Sequence, residues 1–199
     1  MIMNSISSIP VGWLLISTGV AGLFALLFII LLFAIGQPFG TLNDISIGVT
    51  AMLSGILMWL LNPRLLSPSP LYDRMILLLA TFGVVIVLIG SYRAAFGISG
   101  WYLSGLYMSA GNALIGIWLF YFNLIALQSA AWQSGLSILG IVSSGVLLLG
   151  LVAIPGMARG IDIKKYDVTI VNVIWWTSAL GWLVLYPIWC LLLGITILK

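Results

Sequence analysis

The sequence predicts an all-α fold: a single domain over residues 1–199 built as a bundle of six transmembrane helices. Two observations carry this. Six apolar runs separated by short connections fill most of the chain, and a bilayer core needs about 20 consecutive apolar residues for each helical crossing. Charged residues make up 6% of the chain and hydrophobic ones 63%, at a mean hydropathy of +1.28, whereas a soluble domain carries about 25% charge. The expected location is the cell membrane, as a multi-pass protein.

The elements follow in order. The first span is read over 13–35, closed by the turn Gln37-Pro38-Phe39-Gly40. It reads as a retained helix, because no Lys or Arg precedes it and its apolar run is longer than the h-region of a signal peptide. The second span covers 45–61, followed by a connection stiffened by Pro63, Pro68 and Pro70. The third covers 75–95, and Gly97-Ile98-Ser99-Gly100 separates it from the fourth, 101–127. A neutral connection leads to the fifth, 135–157. The most polar loop, Arg159 to Asp167, precedes the last span, 168–197, which is expected to break near Pro187. Arg64, Arg74 and Lys199 fall on one side and Arg93, Arg159, Lys164 and Lys165 on the other, a difference too small to orient the bundle by charge.

Composition excludes several chemistries. With no His and a single Cys, Cys190, the chain cannot supply a His-ligated haem or a self-contained zinc or iron–sulfur site. No cofactor is expected of the chain itself, although a pigment, quinone or lipid held non-covalently is compatible with its deep aromatics. Seven basic residues scattered through connections cannot form a nucleic-acid surface. The four carboxylates, Asp44, Asp73, Asp162 and Asp167, all fall in or beside the expected loops, which argues against a buried carboxylate relay. No P-loop, nucleophile elbow or metal-ligand motif is present.

The fourth span is the most informative. Gly105, Ser109, Asn112, Gly116 and Asn123 follow steps of four, three, four and seven and so share one helical face. A carboxamide facing hydrocarbon lacks partners, so this face should turn inward, either as the polar wall of a cavity or as an interhelical clamp. Asn172, Thr177 and Ser178 on the last span are its natural partners. Small residues mark other helices: Ser17, Ala21 and Ala25; Thr18 and Gly22; Gly48, Ala51 and Gly55; Gly140 and Ser144. These ladders allow close helix approach. Arg93 ends a long uncharged stretch. It can snorkel to headgroups at the helix terminus or bind an anion at a cavity mouth. Trp13, Trp59, Trp101 and Trp132 lie near span ends, where indoles favour the interface, while Trp118, Tyr121, Trp175, Trp176 and Trp182 lie deeper.

The second half, residues 111–197, resembles a group of small six-span prokaryotic membrane proteins of unknown function. The resemblance rests on Trp132-x-Ser134-Gly135-Leu136 opening a Gly-rich helix through Gly140, and on Pro187-Ile188-Trp189 followed by Gly194. It implies the six-helix architecture and no activity.

The sequence therefore points to a non-enzymatic integral membrane protein. The first expectation is an accessory or structural subunit whose partners are membrane lipids and other membrane-protein subunits or copies of itself. The rival is a small transporter or intramembrane binding protein using the Ser109, Asn112, Asn123 and Asn172 face, with Arg93 as the candidate interfacial charge.

Overall fold

A computed structural model describes residues 5–62, 69–162 and 169–199, with side chains over 9–62, 69–162 and 173–199. Six helices are long and apolar enough to cross a membrane, and no strand occurs among the described residues. The chain is a multi-pass integral membrane protein with an all-α, six-helix bundle. The helices are α1 (Ser5–Ala34), α2 (Phe39–Leu61), α3 (Pro70–Ala95), α4 (Trp101–Gln128), α5 and α6. Helix α5 runs over Ser134–Leu148, tightens to a 3₁₀ stretch at Leu149–Ala153 and ends with Ile154–Ala158. Helix α6 runs over Thr169–Leu180, widens to a π turn at Gly181–Leu185 and continues through Tyr186–Leu198.

Consecutive helices pack side by side, and the second half of α6 closes the set by lying along α1. Helix α4 is the central one: 67% of its most apolar stretch is buried, against 28% for α1. Backbone approach sets these pairings. A Cβ on Gly111 would stand 2.5 Å from the Gly83 carbonyl oxygen, and one on Gly83 would stand 2.6 Å from that of Gly111. Only two glycines allow α3 and α4 to cross so closely. On α1 the buried ladder is Gly12, Leu15, Gly19 and Gly22, which meets Gly194, Leu191 and Pro187 of α6. Ser17, expected in a packing ladder, faces outward, while Thr18 and Ala25 are buried.

Pro187 does not break α6. It lacks the N–H that would pair with the carbonyl four residues back, and the chain responds by widening rather than stopping. Tyr186 N–H donates to the Gly181 carbonyl, a five-residue step. The proline ring fits against Gly22, whose Cβ would meet Pro187 Cγ at 2.4 Å. After α3, Gly97 takes φ +65°, and Ile98 N–H donates to the Arg93 carbonyl at 2.9 Å, so the left-handed residue closes the helix end.

Two helix starts differ from the sequence-based bounds in ways that matter. Helix α3 begins at Pro70 rather than 75, a proline that suits the first helical turn. This places Asp73 in that turn, where its carboxylate accepts from the Tyr121 hydroxyl at 2.7 Å. Helix α2 begins at Phe39 rather than 45, which puts Asp44 inside the helix.

Candidate functional site

The polar face of α4 divides between two jobs. Asn123 is fully buried. Its Nδ2 donates to the Leu119 carbonyl at 2.8 Å, and its Oδ1 accepts from Trp189 Nε1 of α6 at 3.0 Å. Gly140 of α5 lies against it, so close that a Cβ there would stand 2.2 Å from Asn123 Cγ. Three helices therefore meet on one carboxamide, and Asn123 is a clamp. Gly116 packs on Leu147 of α5 beside it.

Asn112, three turns earlier, makes a different environment. It is 5% exposed, and its Oδ1 has no hydrogen-bond partner. It lines a cavity of about 60 Å³, counted as space open to the centre of a water molecule, between α1, α2, α4 and the first half of α6. Ile29, Asn43, Asp44, Ile47, Trp101, Gly105, Met108, Ser109, Trp175, Trp176, Ser178 and Trp182 are among the other lining residues. Most of the packing of α6 against α1 falls in its second half, while in the first half the Phe33 ring of α1 lies 6.5 Å from that of Trp176. Gly105 admits the Trp175 ring, whose Cζ2 would lie 2.6 Å from a Cβ at that position. Trp175 Nε1 donates to the Gly105 carbonyl at 3.4 Å. The π turn that carries Trp182 forms part of the lining, and such turns are frequent at functional sites.

Asp44 corrects the expectation that every carboxylate sits in or beside a loop. It is 6% exposed on the second turn of α2, about 7 Å along the axis from the helix start. Its side chain has one weak contact, with Asn43 Nδ2 at 3.4 Å, and no ion-pair partner among the described residues. Ser91 Oγ of α3 donates to the Asp44 backbone carbonyl, tying the segment to α3. Four unpartnered buried atoms belong to this cavity lining: Asn43 Oδ1, Ser109 Oγ, Asn112 Oδ1 and Trp182 Nε1. Each such group costs about 1–3 kcal/mol when left without a partner, and all four belong to residues of this one lining.

The remaining sequence candidates lie elsewhere. Arg93 is in the last turn of α3, its Nε donating to Ser99 Oγ at 3.1 Å and its guanidinium 5.4 Å from the Tyr107 ring centroid. It does not line the cavity. Of the three proposed partners on α6, Ser178 donates to the Leu147 carbonyl and Thr177 to the Val173 carbonyl. The Asn172 side chain lies outside the described residues. Asp162 caps α4, accepting from the N–H groups of Gly100 at 2.7 Å and Leu103 at 3.3 Å; residues 163–168 of that loop lie outside the described residues. Trp13 and Trp59 are exposed as expected of interfacial indoles, whereas Trp132 stacks on Phe122 at 5.3 Å.

Sequence reasoning missed Asn43 and Asp44, yet a signal was present. The ladder Gly48–Ala51–Gly55 extends one turn back, by a step of four, onto Asp44. Among the described residues, no group of three or more Cys or Asp side chains gathers to hold a metal ion. No family model matches the chain, and no curated protein or solved structure does either.

Proposed function

We propose that this protein binds a small polar solute within the cell membrane, in the cavity between α1, α2, α4 and α6, as an intramembrane binding protein or the binding step of a small transporter. The observation that carries this reading is a cavity whose lining residues include a buried carboxylate without an ion-pair partner among the described residues, Asp44, and four residues with an unpartnered buried polar atom, Asn43, Ser109, Asn112 and Trp182. The lining takes Ile29 near the end of α1 and Asn43, Trp101 and Trp175 near the starts of α2, α4 and α6, and Asn112 stands about 16 Å along α4 from Trp101, toward the middle of that span. A solute entering from one side would thus reach the middle of the bilayer. Membrane lipids would cover the outer apolar surface.

The accessory-subunit expectation rests on the scarcity of catalytic groups and on the small-residue ladders. Of those ladders, Gly22 meets Pro187, Gly48 meets Ser91, Gly55 meets Val84 and Gly140 meets Asn123 within the chain, whereas Ser17 faces outward. Packing within the chain thus accounts for most of them, and the cavity with its polar lining is left for a binding role.

The test uses full-length protein in lipid nanodiscs with Cys190 replaced by Ala. Asn112→Cys should react within minutes with a small neutral methyl thiosulfonate, forming a methyl disulfide and releasing sulfinate, while Asn123→Cys, inside the clamp, should stay unmodified. Equal protection of the two cysteines would refute an accessible binding cavity.

A further inference from the structure

We propose that the solute is a small organic cation, an ammonium compound carrying an oxygen acceptor, recognised by Asp44 and the indoles around it. This rests on the binding reading above and names its chemistry. The first argument is charge. Among the described residues, Asp44 is the one ionisable side chain lining the cavity, with no Lys or Arg beside it there. Arg93, the nearest candidate for a counter-charge by sequence, is turned onto Tyr107 and Ser99 instead. A buried carboxylate without a positive partner is costly, so a cationic guest gains what a neutral or anionic one does not.

The second argument is the wall. Trp101, Trp175, Trp176 and Trp182 all line the cavity. The first three form one cluster, with centroids 5.5 Å apart for Trp101–Trp175, 5.9 Å for Trp101–Trp176 and 5.1 Å for Trp175–Trp176. Trp101 and Trp175 meet edge to face at 74°, which turns ring faces toward different directions. Indole faces are electron-rich and attract an ammonium group within about 6 Å, most strongly where water is excluded. The third argument is hydrogen bonding. Asn43 Oδ1, Ser109 Oγ and Asn112 Oδ1 are unpartnered oxygens suited to N–H donors, whereas Trp182 Nε1 is an unpartnered donor that suits an oxygen on the same guest.

Size and ligand type narrow the class. The free volume of about 60 Å³, against about 150 Å³ for a cavity that admits benzene, limits the enclosed part of the guest to a small ammonium head. A hard divalent metal ion is usually held by several carboxylates; Asp44 is the single one in the described lining, and no group of three Cys or Asp side chains gathers among the described residues.

The test uses the full-length Asn112→Cys, Cys190→Ala protein in nanodiscs. Labelling is compared for thiosulfonate reagents bearing a trimethylammonium, a methyl or a sulfonate group, each corrected for its rate with free thiol. The trimethylammonium reagent should react at least about tenfold faster than the sulfonate, and Asp44→Asn should reduce that ratio to about threefold or less. As a measurement independent of any variant, choline should change the tryptophan fluorescence of unmodified protein at concentrations about tenfold lower than its neutral carbon analogue, 3,3-dimethyl-1-butanol. Entry of the methyl reagent together with equal rates for cation and sulfonate, or equal potency of choline and its analogue, would overturn the cation assignment and leave the binding cavity standing. Failure of all three reagents to react would overturn both.

Discussion

Gly140→Ala should be the most informative single-methyl change in this protein. The added Cβ would lie 2.2 Å from Asn123 Cγ and Nδ2 and 2.3 Å from Oδ1. Asn123 cannot yield freely, because Leu119 holds its nitrogen at 2.8 Å and Trp189 holds its oxygen at 3.0 Å. Either the helices separate, at the roughly 1–3 kcal/mol typical of overpacking, or Asn123 leaves and forfeits two membrane hydrogen bonds averaging about 0.6 kcal/mol each. Where the helices separate and both bonds are lost, the loss comes to about 2–4 kcal/mol. Asn123→Ala alone removes the bonds without a clash and should cost about 1 kcal/mol. The double variant then carries its remedy, since the truncated side chain vacates the space the new methyl needs. It should be more stable than Gly140→Ala by at least about 1 kcal/mol, a strong non-additive coupling. The assay is reversible unfolding in mixed micelles at increasing dodecyl sulfate, followed by tryptophan fluorescence. A Gly140→Ala loss under about 0.5 kcal/mol, adding simply to that of Asn123→Ala, would refute the three-helix clamp.

Three further outcomes follow from local geometry. Gly111→Ala should destabilise by about 1–3 kcal/mol, because the Gly83 carbonyl in its way is backbone and cannot rotate aside. Gly145→Ala, where a Cβ meets nothing within 4 Å, should be neutral or stabilising by up to about 1 kcal/mol through helix propensity; the same unfolding assay separates the pair. Asp162→Ala should cost about 1 kcal/mol by uncapping α4, with hydrogen exchange accelerating at the Gly100 and Leu103 amides; unchanged exchange there would deny the cap.

The number of crossings and their approximate places were legible in the chain because hydrophobic length is a local property. The bilayer demands about 20 apolar residues per helix, and no packing detail alters that requirement. The errors came at helix ends. Polar residues such as Asn43 and Asp44 read as loop when hydropathy alone is followed, yet the backbone must stay hydrogen-bonded at the membrane boundary. Helix α2 therefore starts at Phe39 and carries them inward. Pro187 read as a break for a related reason: the sequence marks the missing N–H but not the π turn that absorbs it.

The inward turn of the α4 polar face was a consequence of its periodicity and of the cost of a carboxamide in hydrocarbon. Its division was not. Asn112 and Asn123 have the same chemistry and the same helical phase, and only the neighbours distinguish them. Asn123 meets Gly140 and Trp189, which are 17 and 66 residues away in sequence, and becomes packed and satisfied. Asn112 lines the cavity with Asp44, Trp175 and Trp176 and keeps an unpartnered acceptor. Spacing along one helix specifies which residues share a face; the tertiary structure specifies what stands opposite. In this protein, that opposing surface decides whether an asparagine clamps helices or is left with an unpartnered oxygen.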